Sequence, residues 1–257
     1  MGDPGLSLIE SQLRTIKKTH EIDFVIAQAE NVSDGRGCKL DDYNRLKKAG
    51  VDFCTGGNWS LWQKEIWPQL SDPKQPIIRP ANYPSGTPGL GWKYINSVLG
   101  NVLVVSLLGK TVGRDSNAKL DNPLKIIDGI LDEQNDIPKT ATVVNFHGDY
   151  SSEKVVIGQY LNGRVSAVIG DHWHVPTADA RILSQGTAHI TDVGMVGALN
   201  SSLGVKTSLI VQRWRDGVVN TNSLEQNKPW QFNGLIFEVD IDTGKALSAI
   251  PLNLIFD

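Results

Sequence analysis

Cysteine is scarce: Cys38 and Cys54 are the only two in 257 residues. That excludes a disulfide framework and a four-thiolate metal site, and such thin usage fits a reducing cytoplasm. Charge of one sign is also missing. With 25 basic and 28 acidic side chains the net charge is −3, which excludes the basic surface that coating nucleic acid requires. No apolar run approaches the roughly 20 residues that cross a bilayer. Met1-Gly2-Asp3-Pro4-Gly5 has no cationic stretch ahead of an apolar one, so neither a secretory signal nor a membrane partner is expected. Leu6 stands where a myristoylation signal needs Ser or Thr. What is present is a globular composition, 40 % hydrophobic and 21 % charged. It has no internal repeat and no linker, and its length suits one large domain over residues 1–257.

The pattern alternates helix and strand. Leu6, Ile9, Leu13 and Ile16 share one helical face, predicting a helix from Leu6 to about Thr19 with Pro4 just ahead of it. Phe24–Ala27 reads as a strand buried on both faces, Leu40–Ala49 as a helix closed by Gly50, and Val51–Cys54 as the next strand. Pro76–Gly91 is a long ordered loop. Strands are expected at Val102–Leu108, Ala141–Phe146 and Val165–Ile169, with helices at Pro123–Gln134, Ser152–Leu161 and Ser208–Trp214. Two last strands, Gly234–Asp240 and Ala246–Ile255, flank an Asp242-Thr243-Gly244 turn. The class is therefore α/β, with a mostly parallel sheet at the start.

Polar residues gather where the strands end. Ala29-Glu30-Asn31, Gly56-Gly57-Asn58, His147-Gly148-Asp149 and Gly170-Asp171-His172-Trp173-His174 each follow a predicted strand. Ligands of open α/β sheets bind beyond the carboxyl ends of strands, so these loops should meet in one crevice. His172 and His174, two apart on an extended segment, would put both imidazoles on one side. Carboxylate, amide and imidazole together suit Mn, Fe or Zn better than Ca. An isolated histidine is more often a plain polar residue; three at strand ends beside Glu30 and Asn58 argue for a metal. His20 reads as a solvated helix cap, and His189 is open between cleft wall and structural role. Neither Gly35-Arg36-Gly37 nor Gly86-Thr87-Pro88-Gly89 is a phosphate loop, since no Gly-Lys-Ser/Thr follows. Ser151-Ser152-Glu153-Lys154 reads as a helix cap with acid in the first turn.

At these residues the chain resembles the calcineurin-like metallophosphoesterases, most closely their bacterial 2′,3′-cyclic-nucleotide 2′-phosphodiesterase-like subgroup. The matching segments are Ala29-Glu30-Asn31 with Gly35-Arg36-Gly37, Gly57-Asn58 with Lys64-Glu65-Ile66, and Arg79-Pro80-Ala81-Asn82-Tyr83-Pro84 with Gly86-Thr87-Pro88-Gly89. They continue with Phe146-His147, Ser152-Glu153-Lys154, Gly170 to Val175, Thr177-Ala178-Asp179 and Ile190 to Met195. The resemblance implies a four-layer α/β/β/α sandwich holding two divalent or trivalent ions (Fe, Mn or Zn). Glu30 would bridge them, with Asn31 and His174 on one ion and Asn58, His147 and His172 on the other. It implies hydrolysis of a small phosphodiester or cyclic nucleotide by metal-activated hydroxide. A homo-oligomer is compatible with it.

Two departures stand out. Trp59 occupies the position of the family's catalytic His, and an indole cannot shuttle a proton. Loss of a general acid costs about 10²–10⁴ in rate, so the expectation is impaired turnover, unless Asp171 or His189 supplies the proton while Trp59 stacks on a base. Counting back from Glu30, Gly2-Asp3-Pro4-Gly5 falls on the family's turn into its first helix, so the first strand and its metal-ligating Asp are expected to be missing. The alternative is a degenerate nucleotide-binding or regulatory module.

Overall fold

The apolar stripe of Leu6, Ile9, Leu13 and Ile16 is buried along helix α1 (Gly2–Thr19) in the computed structural model, which describes residues 1–97, 100–112 and 119–257. The helix starts at Gly2 rather than Leu6, because Pro4 sits inside its first turn, where a missing N–H costs nothing. His20 is its C-cap residue. Strand β1 (Ile26–Gln28) then pairs in parallel with β2 (Phe53–Thr55) across helix α2 (Leu40–Ala49). Gly50 ends α2 at φ 110°, the left-handed conformation glycine adopts freely. β1 is half-buried and not covered on both faces as expected. Among the described residues it pairs with β2 alone, and it lines a cavity of about 790 Å³.

After β2 a 3₁₀ turn, Lys64–Ile66, leads into the short helix α3 (Trp67–Ser71). The main sheet is built from β3 (Trp92–Ser97), β4 (Gly100–Leu108), β5 (Ala141–His147), β6 (Ala167–Asp171), β7 (Arg181–Ile182) and β8 (Ala188–Ile190). Their order is β3-β4-β5-β6-β8-β7, parallel from β4 to β8 and antiparallel at both edges. Helices α4 (Pro123–Glu133) and α5 (Ser151–Tyr160) are the crossovers. A third sheet, ordered β11-β10-β9, joins β9 (Gly197–Ala198), β10 (Trp230–Ile236) and β11 (Ile250–Phe256), with helix α6 (Thr207–Asp216) between β9 and β10. The last two strands lie further from their turn than predicted. The Asp242-Thr243-Gly244 turn still forms, with a Val239–Ala246 bridge.

Strand alternation divides the core. Leu103, Val105 and Leu107 of β4 pack on Ile127 and Ile130 of α4 and Ile157 of α5. Val102 and Val104 point the other way, to Phe53 and Ile78. Cys54, next to Phe53, faces the opposite side and joins Leu6 and Leu13 of α1, Leu46 of α2 and Phe232 of β10. The layers thus run α4/α5, large sheet, smaller sheets, α1/α2, the α/β/β/α order expected. Among the described residues no helix is long and apolar enough to cross a membrane.

β3 escaped the sequence pattern because Lys93, 3 % exposed, occupies an inward position. Its ammonium donates toward the carbonyls of Gln69 (3.2 Å), Asp72 (2.7 Å), Gln75 (3.0 Å) and Ile77 (2.7 Å). It thereby satisfies the carbonyl end of α3 and the segment that lies against β2. Lys93→Met would remove four hydrogen bonds at once, although Gln75 O and Asp72 O keep backbone donors in Ile77 N and Gln75 N. It should lower unfolding free energy by about 2 kcal/mol or more, read by urea denaturation.

Candidate metal centre

In-register pairing puts the strand ends on one rim: Leu108 lies opposite His147, and His147 opposite Asp171. The loops after β1 and β2 bring Glu30 and Asn58 to the same place. Glu30 and His147 are both buried. One ligand atom each from Glu30, His147 and His172 lie within 4.8 Å of one another. His147 Nε2 is 2.9 Å from Glu30 Oε1 and 2.9 Å from Asn58 Oδ1, and the His147 and His172 rings are 4.4 Å apart between centroids.

These residues fit a divalent cation. Glu30 Oε1 is buried and accepts no well-directed hydrogen bond; the His147 ring, 2.9 Å away, is the polar group that faces it. That is an expensive condition for a carboxylate unless a cation takes the remaining lone pairs. The donor set of carboxylate, amide oxygen and imidazole suits Mn, Fe or Zn. Gly57 is required, since a Cβ there would overlap Glu30 Oε2 and the His147 ring. Asp171 Oδ1 lies 3.0 Å from His147 Nδ1, which leaves Nε2 facing Glu30, as an outer carboxylate orients a metal-ligating His.

Asn31 and His174 meet in a second pair, with His174 Nε2 3.2 Å from Asn31 Oδ1 and His174 Nδ1 3.0 Å from Leu203 O. Burial pushes the His174 pKa down to about 4, so the ring is neutral. Burial lowers that of His172 as well, and the neighbouring His147 adds to the effect. The segment carrying these two histidines is not extended. His172 has φ 108° and His174 φ 64°, so the expected extended backbone does not form; His172 meets His147 and His174 meets Asn31, and both rings line the same cavity.

Residues missed in the sequence hold that turn. Lys154 and Asp192 form a fully buried ion pair at 2.6 Å. Asp192 Oδ2 also accepts from Trp173 N at 2.9 Å, and Lys154 Nζ lies 4.0 Å from the Trp173 ring centroid. Asp149 adds a 2.8 Å contact to His172 Nε2, and its carbonyl accepts from Trp173 Nε1. A signal existed: Lys154 shares a helical face with Ile157, Gly158 and Leu161, all buried. The expected Ser151-Ser152 cap does not form. The N-cap residue is Tyr150 without a side-chain bond, and Glu153 accepts from Lys110 N. His189 is no cleft residue; it is buried under Gly158 with Nδ1 2.9 Å from Val168 O. Trp59 stays beside the cluster, its backbone N–H donating to Glu30 Oε2 at 2.9 Å.

Known proteins share this sequence and architecture. The model of the YmdB-like protein family matches residues 1–252. A Bacillus subtilis (strain 168) 2′,3′-cyclic-nucleotide 2′-phosphodiesterase is 34 % identical over 248 residues, covering 96 % of this chain and 91 % of its own. A crystal structure of a novel phosphatase from Mycoplasma pneumoniae superposes with TM-score 0.91 at 29 % identity, over 100 % of this chain and 90 % of that one. A hypothetical protein from Thermus thermophilus gives TM-score 0.87 at 33 % identity, over 100 % of this chain and 96 % of that one.

Three outcomes follow from the site's charges. Burial alone would lower the His147 pKa, but the Glu30 and Asp171 carboxylates outweigh it and raise the value from 6.5 to about 10. The imidazolium therefore stabilises EDTA-treated protein fully below pH 6.5, and that contribution is lost as pH rises through about 10. Thermal midpoints should fall across this window, and His147→Gln should flatten the fall. Mn²⁺ uptake near neutral pH should release protons, read with an indicator dye. Lys154→Met, which strands a buried carboxylate, should cost about 3–5 kcal/mol by denaturant unfolding, and adding Asp192→Leu should recover part of it.

Proposed function

The chain belongs to the YmdB-like protein family, a metallophosphoesterase subgroup, and from that premise we propose that it is a metal-dependent phosphodiesterase acting on cyclic nucleotides or related small phosphodiesters. The observation that carries this reading is the convergence of the buried Glu30 carboxylate with His147, His172 and Asn58. Two ions of Fe, Mn or Zn would be held by Glu30 together with Asn58, His147 and His172 for one and Asn31 and His174 for the other. When bound, such a pair supplies Lewis acidity toward phosphoryl oxygens and activates water for in-line attack. A single domain, residues 1–257, carries the activity, in the cytoplasm and in a form that allows a homo-oligomer.

The chain's own residues do the positioning. Asp171 accepts from His147 Nδ1–H and Leu203 O from His174 Nδ1–H, so each Nε2 lone pair is presented inward. Asp149 restrains His172 through its Nε2. The Lys154–Asp192 pair fixes the turn carrying both His172 and His174, which keeps the donors preorganised. Trp59 offers a single N–H donor and cannot return a proton to the departing oxygen, so esters whose leaving group needs no proton should be favoured.

A second reading, a nucleotide-binding module without turnover, draws on Trp59 and would require nucleotide binding with at most one metal per chain. With Mn²⁺, hydrolysis of bis-p-nitrophenyl phosphate and of 2′,3′-cyclic AMP is expected, dropping to background in Glu30→Ala. Wild-type turnover equal to that variant refutes the phosphodiesterase reading. Trp59→His should raise kcat on the cyclic nucleotide by about 10²-fold or more, and much less on the nitrophenyl ester.

A further inference from the structure

Arg36, Trp59 and Trp62 form a cationic aromatic wall beside the metal-ligand cluster that neither metal binding nor core packing explains. The Arg36 guanidinium carbon lies 4.9 Å from the Trp59 ring centroid and 5.6 Å from that of Trp62. The two indoles meet edge to face at 5.2 Å. Trp62 is 55 % exposed. Among the described residues the guanidinium has no carboxylate partner, so its planar fork of donors is available to a ligand. Gly35 and Gly37, at φ 80° and 77°, project Arg36 from its turn. Gly37 also permits close approach to the second turn, since a Cβ there would lie 2.8 Å from Gln63 Cγ and 3.2 Å from Trp62 Cβ.

The wall is fixed relative to the cluster. Gly37 N donates to Glu30 O at 2.5 Å, and Asn31 Nδ2 to Gly35 O at 2.9 Å. On the other turn, Trp59 N donates to Glu30 Oε2 at 2.9 Å and Trp62 N to Trp59 O at 3.0 Å. Gln63 Nε2 ties the turns together through Arg36 O at 3.2 Å. Both carriers of the wall are thus bonded to Glu30 itself.

We propose that this wall is a base-recognition subsite. Trp62 stacks on the nucleobase of a nucleotidyl phosphodiester whose phosphate sits at Glu30, His147 and His172. Arg36 donates to acceptors on the ribose-phosphate edge, and Trp59 braces both. Exposed aromatics with an adjoining Arg are the chemistry that holds unpaired bases. The inference rests on the phosphodiesterase reading and narrows its substrates to diesters that carry a base; Trp59 then serves binding in place of proton transfer.

The test uses the full chain with Mn²⁺. Calorimetry compares adenosine 3′-monophosphate with inorganic phosphate, and kcat/KM compares 2′,3′-cyclic AMP with methyl ribofuranoside 2,3-cyclic phosphate, which lacks a base. Wild type should prefer the nucleotide in both comparisons. Trp62→Ala should cut each preference on the order of 10-fold, Trp62→Phe should keep most of it, and Arg36→Ala should lower it. Equal wild-type affinity for nucleotide and phosphate, no binding of either, or an equal loss on both ligands in Trp62→Ala overturns the subsite. If neither diester is hydrolysed but the binding preference and its loss in Trp62→Ala persist, the phosphodiesterase reading fails and the subsite stands. Hydrolysis of both diesters without preference overturns the subsite and leaves the phosphodiesterase reading in place.

Discussion

A carboxylate 1 % exposed must be compensated where it stands, and the arrangement around Glu30 is that compensation. Its amide donates to Gln28 Oε1 in β1, its carbonyl accepts from Gly37, and Oε2 accepts from Trp59 N after β2. Oε1 is turned to His147 at the end of β5. One residue thus ties the small parallel pair to the large sheet, beside the Ser106 Oγ–Gly56 O bond, the Gln28–His147 contact and the apolar contacts around Phe53 and Val104. Removing the charge would loosen the two turns and the strand-end geometry together.

Much of this was legible because parallel strands leave strong marks. The continuous apolar run of β4 and the capped repeat of α2 come from burial and from backbone chemistry that a single sequence records. The convergence of Glu30, Asn58 and His147 was legible for the same reason: parallel strands must end on one side. Two-residue strands such as β7 and β9 are too short to show a period. The turn at His172 and His174 was misread because no local signal announces a positive φ at histidine; the constraint comes from Asp192, far along the chain.

Lys93 and Lys154 share the deeper reason for the remaining misses. Each sits where the pattern calls for an apolar residue, and each is buried because its partner is supplied by tertiary structure. Four carbonyls do this for Lys93 and one carboxylate for Lys154. The first fixes the segment beside β2 from which Asn58 emerges, and the second fixes the turn carrying two candidate ligands. Charge placed inside the core is used here to set loop conformation, a specificity that apolar packing of the same volume would not supply.

The order of the site's donors along the chain has a consequence for biosynthesis. The oxygen donors Glu30, Asn31 and Asn58 are made first; the imidazoles come later, with Asn58 and His147 89 residues apart and Asn31 and His174 143 apart. Closing such separations comes before any contact rewards it. A nascent chain that has emerged as far as Asn58 would carry only the oxygen donors of the proposed set, which are hard ligands. On the metal-site reading, the imidazole donors would join the site only with the completed sheet, so a site selective for a transition metal would form at the end of folding.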